Sequence, residues 1–388
     1  MKISACVKYV GVNDHQVDLF EGQYKVPNGM SYNSYVILDD KITVMDTVDG
    51  FFTEEWMNNV EQVLDGKMPD YLVIQHMEPD HSASIPAFLK KYPKATVVST
   101  AKGFQFMEQF FPEFFAEQGL PAEQRIVAAN DGILELGQHS LHFVYAPMVH
   151  WPEVMMTYEA TEKILFAADG FGKFGALDVE EEWTDEARRY YIGIVGKYGP
   201  QVQAVLKKAA GLDIQTICSL HGPVLKENLG FYLEKYDKWS SYQPEESGVV
   251  IAYASVYGNT RNAAEYLADV LQEKGQKTVL YDLARCDKAK AVADAFRYDR
   301  LVLVGITYNG DLFPCMRSFI EGLTERNYQN RKVAIIENGT WAPMAGKLIL
   351  GMFEKSKNLT FTETTVSIKS AMNEQNKGEI GKLAEELC

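Results

Sequence analysis

Four potential metal ligands crowd into six residues, His76-Met77-Glu78-Pro79-Asp80-His81, directly after an apolar run at 71–75. Two imidazoles and two carboxylates at one turn serve no purpose in a packed core, where each needs a buried partner. A metal accounts for all four. Imidazole suits zinc, copper, iron and nickel, while carboxylates add hard oxygen donors. Glu78 therefore moves the set toward iron or manganese and away from an all-nitrogen zinc site. Three more ligand types follow apolar runs: His150 after 141–145, Asp169 after 163–167 and His221 after 216–219. Seven side chains, His76, Glu78, Asp80, His81, His150, Asp169 and His221, exceed one tetrahedral site. They suit two metals sharing a bridging carboxylate. Two metals about 3.5–4 Å apart clamp both atoms of a small substrate. The other histidines, His15, His139 and His142, read as ordinary loop and strand residues.

A second constellation lies in Tyr253-Ala-Ser-Val-Tyr-Gly-Asn-Thr260. An apolar run leads into it and a helical pattern leaves it. Ser255, Tyr257, Asn259 and Thr260 supply hydroxyls and an amide, Val256 lies among them, and Gly258 permits close backbone approach. The helix start adds free N–H groups, so the loop cradles a phosphate. It contains no Lys or Arg, and G-x-x-x-x-G-K is absent, which argues against a nucleoside triphosphate. Two later loops follow strand-like runs: Thr307, Tyr308, Asn309 and Gly310, then Asn338, Gly339, Thr340 and Trp341. Tyr308 and Trp341 can flank a flat ring. With G-x-G-x-x-G also absent, FMN fits better than a dinucleotide.

The elements that must position these groups fall into two domains, expected at 1–247 and 248–388, because 388 residues exceed one ordinary core. The first half has many short strand-like runs, from 2–9 to 216–219. Helical patterns at 53–63, 102–111 and 183–210 interrupt them in a layered α/β arrangement. Residues 239–248 are polar, with Pro and Gly, and read as a linker. Beyond them strands alternate with helices, as in a doubly wound parallel sheet with its ligand at the carboxyl ends of the strands. Charge divides the same way. Residues 1–247 hold 36 acidic against 20 basic side chains, and residues 248–388 hold 17 against 18. This acidity argues against nucleic acid. No apolar run reaches the ~18 residues of a membrane helix, and the first ten residues lack a secretory core. The expected location is cytoplasmic. Five cysteines form no C-x-x-C pair and read as reduced thiols.

The H-x-E-x-D-H run, His150 nineteen positions before Asp169, and the late Leu220-His-Gly-Pro223 resemble the flavodiiron proteins, the A-type flavoproteins that include rubredoxin:oxygen oxidoreductase. The resemblance spans essentially the whole chain. It implies a metallo-β-lactamase-like αββα domain followed by a flavodoxin-like domain, in a minimal member without fused modules. Zinc hydrolases of the first fold resemble H-x-H-x-D-H, and Glu78 stands where they have histidine. The resemblance further implies that His76, Glu78 and His150 hold one iron, that Asp80, His81 and His221 hold the other, and that Asp169 bridges. In some members the histidine matching His81 is displaced by water. The implied cofactors are FMN, within residues 255–260, 307–310 and 338–341, and two iron ions. The implied activity is reduction of dioxygen to water or of nitric oxide to nitrous oxide. Two ferrous ions and reduced FMN together hold four electrons, enough for the first reaction, and the second needs two. The implied partners are an external donor, rubredoxin or a reduced deazaflavin, and a second copy in a head-to-tail homodimer or a tetramer. The rival readings are a zinc hydrolase of the metallo-β-lactamase class and an FMN electron carrier without gas chemistry.

Overall fold

The computed structural model describes residues 3–388. Lys2, at the start of the first expected strand, lies outside them, and the described strand is Val7–Tyr9. The chain forms two compact units, residues 3–191 with 200–236, and residues 192–199 with 237–388.

The first unit is a two-sheet sandwich. One sheet orders Val7–Tyr9, Tyr35–Ile37, Thr43–Met45, Tyr71–Val73, Thr96–Ser99 and Arg125–Val127 side by side. Its first two pairings are antiparallel and the rest parallel. The other orders Ile133–Glu135, Ser140–Tyr145, Met155–Glu159, Ile164–Phe166 and Thr216–Cys218, antiparallel but for the last pair. Period-2 alternation sends one side chain in two inward. Val7, Tyr35, Met45, Val73 and Val98 thus meet Leu141, Phe143, Met155, Ile164 and Phe166 in one buried layer. Helices cover the outside. Thr53–Leu64 buries Trp56, Met57, Val60 and Leu64, the three-and-four spacing of an amphipathic helix, and Asp65 ends it in left-handed conformation.

The helical run expected over 183–210 is interrupted. Trp183–Tyr190 passes through a π turn at Tyr191–Val195 and a tight turn at Gly196–Tyr198 before Gly199–Ala209. Gly199 lies where a Cβ would come 2.3 Å from the Ser240 carbonyl oxygen, a close approach that only glycine allows.

The second unit is a parallel sheet in the order Thr278–Asp282, Glu246–Tyr253, Tyr298–Tyr308, Arg331–Asn338 and Leu359–Phe361. Val366–Ile368 continues the last strand's role beside Arg331–Asn338. Val249, Ile251, Val302, Val304 and Ile336 pack under helices Asn259–Glu273 and Glu374–Glu386. The segment expected as a linker is built into this unit. Trp239, Ser240 and Tyr242 are buried, the Trp239 indole donates to Glu245 at 2.8 Å, and Arg331 donates to the Tyr242 carbonyl at 2.7 Å. Its polar composition supplies these bonds.

Candidate functional site

Strand ends of the sandwich position the first site. Tyr71–Val73 leads into the turn of His76 and Glu78, and Pro79 opens the short helix Pro79–Ser82 that carries Asp80 and His81. His150 follows Ser140–Tyr145, Asp169 follows Ile164–Phe166, and His221 follows Thr216–Cys218. Ala168, in left-handed conformation, turns the chain just before Asp169.

All seven side chains converge in two adjoining sets. His76, Glu78, His150 and Asp169 bring ligand atoms within 4.8 Å of one another, as do Asp80, His81 and His221. Within the first, His150 Nε2 lies 3.0 Å from Glu78 Oε2 and 3.0 Å from Asp169 Oδ2, and His76 Nε2 lies 3.2 Å from Glu78 Oε2. Within the second, His81 Nε2 lies 3.0 Å from His221 Nε2 and 3.2 Å from Asp80 Oδ2. Asp169 faces both sets, with Oδ2 toward His76 at 3.5 Å and Oδ1 toward His81 at 3.5 Å. His81 therefore turns into its set.

The buried imidazoles and carboxylates shift one another strongly. Burial works against a charged His150, but the Asp169 and Glu78 carboxylates overcome it and raise its pKa to about 9. His76 is raised in the same way by Asp169, Glu153 and Glu78, against the cost of burial. Burial opposes ionisation of Asp80 too, yet His81 and His221 hold it well below the usual carboxylate range. Neither oxygen of Asp80, nor Asp169 Oδ1, accepts a hydrogen bond, although all three are buried. Buried carboxylate oxygens short of hydrogen-bond donors are costly, and metal ions at these positions would relieve that cost. Four nitrogens and three carboxylates fit a pair of iron-class ions.

Neighbouring groups fix the rings. Glu153, which no sequence motif marks, accepts from His76 Nδ1 at 2.7 Å and from the Met77 amide at 2.9 Å. The Ser31 carbonyl accepts from His221 Nδ1 at 2.7 Å. Each contact commits one nitrogen and leaves Nε2 for a metal. Thr47 anchors the short helix by donating to the His81 carbonyl at 2.8 Å. Phe20, Tyr32 and Tyr190 surround the His221 ring with centroids 5.4–6.0 Å away, and all three are buried.

The second unit carries a cavity of about 490 Å³ beside its sheet. Val256, Tyr257, Asn259, Thr260, Thr307, Tyr308, Asn309, Gly310, Asn338, Gly339, Thr340 and Trp341 line it, together with Ile306, Ala342, Met344 and Ser370. Ser255 and Gly258 shape its first loop, where Ser255 Oγ accepts from the Gly258 amide at 3.2 Å. Gly258 has φ of +95° and opens helix Asn259–Glu273, so the chain turns there without strain and the first turn's amides lack intrahelical acceptors. The loops are braced: Thr307 Oγ1 accepts from the Met344 and Ala345 amides, and Asn338 exchanges hydrogen bonds with Ser370. Tyr257 is 93% exposed and Trp341 90%, large apolar surfaces bare at the mouth of a polar cavity. A flat ring held at that mouth would cover them, so the cavity fits FMN.

An αββα sandwich with a carboxylate-rich two-metal cluster, together with a flavodoxin-type sheet, defines a class of oxidoreductases that combine a flavin with a non-haem diiron centre. A family model described as ODP family beta lactamase matches residues 30–222, and one described as flavodoxin domain matches residues 250–358. The nitric oxide reductase of Moorella thermoacetica is 30% identical over 357 residues, covering 88% of this chain and 86% of that protein. The rubredoxin oxygen:oxidoreductase of Desulfovibrio gigas superposes with a TM-score of 0.92 at 24% identity, covering 100% of this chain and 97% of that one. The flavodiiron protein of Giardia intestinalis superposes at 0.90 with 25% identity, covering 100% and 96%. The chain belongs to the flavodiiron protein family, and its cofactors are FMN and two iron ions.

Proposed function

We propose that this protein reduces small diatomic gases, dioxygen to water or nitric oxide to nitrous oxide, with electrons from an external carrier. The observation that carries this reading is the pair of adjoining ligand sets sharing Asp169. We assign the gas chemistry to residues 1–247 and flavin binding to residues 248–388. His76, Glu78 and His150 would hold one iron and Asp80, His81 and His221 the other, with Asp169 between them. When bound, the irons and FMN supply electron storage and gas binding.

The chain's own residues do the rest. Glu153 and the Ser31 carbonyl hold His76 and His221 through Nδ1, which would leave each Nε2 to bind a metal. Buried Phe20, Tyr32 and Tyr190 pack aromatic rings around His221, which suits a small neutral substrate. Glu78 supports iron over the zinc hydrolase alternative. The cavity at 255–260, 307–310 and 338–341 supports a flavin that passes electrons on.

The donor in this reading is a separate one-electron protein of the rubredoxin type or a reduced deazaflavin. The working assembly is a head-to-tail homodimer, alone or paired as a tetramer, that sets one subunit's flavin beside its partner's irons. The five cysteines are free, which suits the reducing cytoplasm, and among the described residues no helix is long and apolar enough to cross a membrane. Mixing a flavin-site variant with an iron-site variant tests the arrangement. Restored gas consumption in the mixture is expected, and two variants that never complement would refute the dimer.

A further inference from the structure

Four turns meet at the end of the sandwich opposite His76 and Asp169. Cys6 precedes strand Val7–Tyr9, Asp39 and Asp40 follow Tyr35–Ile37, His139 precedes Ser140–Tyr145, and Glu162 precedes Ile164–Phe166. The last two strands carry ligands of the first site beyond their far ends, His150 and Asp169. The six residues of Ser140–Tyr145 alone span roughly 20 Å. The turns therefore form a separate place in the fold.

Cys6 Sγ, one imidazole nitrogen of His139 and a carboxylate oxygen of Glu162 lie within 4.8 Å of one another. Asp39 Oδ2 fixes the imidazole, accepting from His139 Nδ1 at 2.8 Å and from the Gln138 and His139 amides at 2.8 and 2.7 Å. A carboxylate behind a histidine is the usual backing of a metal-binding ring, because it commits Nδ1 and leaves Nε2 to the ion. Glu162 Oε2 is buried and accepts no hydrogen bond, an unmet acceptor in the same group. Gly137 holds the turns together at φ +129°, where a Cβ would fall 2.8 Å from Asp40 Cβ. A cavity of about 240 Å³ opens here, lined by Cys6, Asp39, Asp40, Lys67, Gln138 and His139 among others.

Thiol, imidazole and carboxylate together are a zinc-class donor set. Zinc takes all three at 2.0–2.3 Å, and three protein ligands with one position left open are common. The geometry points to Cys6, His139 and Glu162 as a site for one zinc-class divalent ion, distinct from the flavin and iron sites, beside the cavity that Cys6 and His139 line. The alternative use of such a thiol, as a nucleophile or redox sensor, needs a depressed pKa. Burial, with Glu162 and Asp39 beside it, instead pushes the Cys6 thiol up. An ion arriving there displaces the thiol proton and relieves the carboxylates.

Cobalt(II) is the probe, since a cobalt–thiolate bond gives a near-ultraviolet charge-transfer band that nitrogen and oxygen ligands do not. The full chain loaded with iron and FMN is titrated with Co²⁺, then with Zn²⁺. One equivalent of cobalt per chain with that band is expected, and zinc should bleach it. The band should vanish in Cys6→Ser, and cobalt affinity should fall at least tenfold in Glu162→Gln, with iron and FMN contents unchanged in both. A wild-type protein without the band, or one whose band survives in Cys6→Ser, overturns the site. Unchanged cobalt affinity in Glu162→Gln does the same, even if Cys6→Ser fails to fold.

Discussion

Replacing Glu153 by Gln should perturb the metal centre without replacing a proposed ligand. Glu153 is 3% exposed, and one of its oxygens accepts both the His76 ring N–H at 2.7 Å and the Met77 amide at 2.9 Å. A glutamine keeps the shape and one acceptor but removes the negative charge that makes His76 a stronger donor and fixes its ring. Backing carboxylates of this kind contribute about 10–100-fold to metal affinity, which is about 1.4–2.7 kcal/mol. Glu153→Ala goes further, leaving two buried donors unpaired at about 1–3 kcal/mol each in fold stability. The assay is ferrous ion binding in competition with a calibrated chelator, with FMN content as the internal control for folding. Glu153→Gln should bind the iron of the His76 set about 10–100-fold more weakly with FMN unchanged. Wild-type affinity in Glu153→Gln would refute the claim that this contact positions His76.

Three further outcomes are expected. Asp169→Asn should lower iron to less than one ion per chain by metal analysis, because one carboxylate serves both sets; retention of two irons would remove its bridging role. Trp341→Ala should raise the FMN dissociation constant about two- to tenfold in a fluorescence titration, matching the roughly 0.5–1.5 kcal/mol of an aromatic stack; no change would place the ring away from Trp341. Asp46 is fully buried, burial raises its carboxyl from 3.8 to about 6, and it accepts twice from Gln75. Its folded pKa lies above the unfolded one, so its cost is absent below about pH 4, grows through pH 4–6 and persists above, reaching about 3 kcal/mol. Denaturant unfolding of metal-free Asp46→Asn should gain on wild type by up to that amount between pH 4 and pH 7, and a pH-independent difference would contradict it.

The convergence of the seven donor side chains could be read from the sequence because four sit in six residues and the other three each follow an apolar strand by a few positions. Strand ends collect on one edge of a sandwich, so linear spacing carries over into space. Glu153 could not be found this way: a lone acid near a Trp-Pro turn has the same signature as a solvated loop residue, and only the fold buries it against His76. The three loops that line the cavity of the second unit were readable for the same reason. Met344 and Ser370 were not, since they reach the cavity from a helix entry and from beyond the last strand. The long helical pattern at 183–210 hid its own break, because Tyr191–Val195 keep an apolar face through the π turn. The polar stretch at 239–248 misled in the other direction, its side chains serving internal hydrogen bonds. His139 read as ordinary because its partners, Cys6 and Glu162, lie 133 residues before it and 23 after.

The most direct test of gas reduction at the shared diiron site is stopped-flow reoxidation of the fully reduced protein, with iron and FMN quantified, against dioxygen and nitric oxide in parallel. The account predicts rapid oxidation of flavin and irons by at least one gas, yielding water without peroxide or nitrous oxide in stoichiometric amount, and loss of this reaction in Asp169→Asn. Slow reaction with both gases from a protein replete in iron and FMN would contradict it.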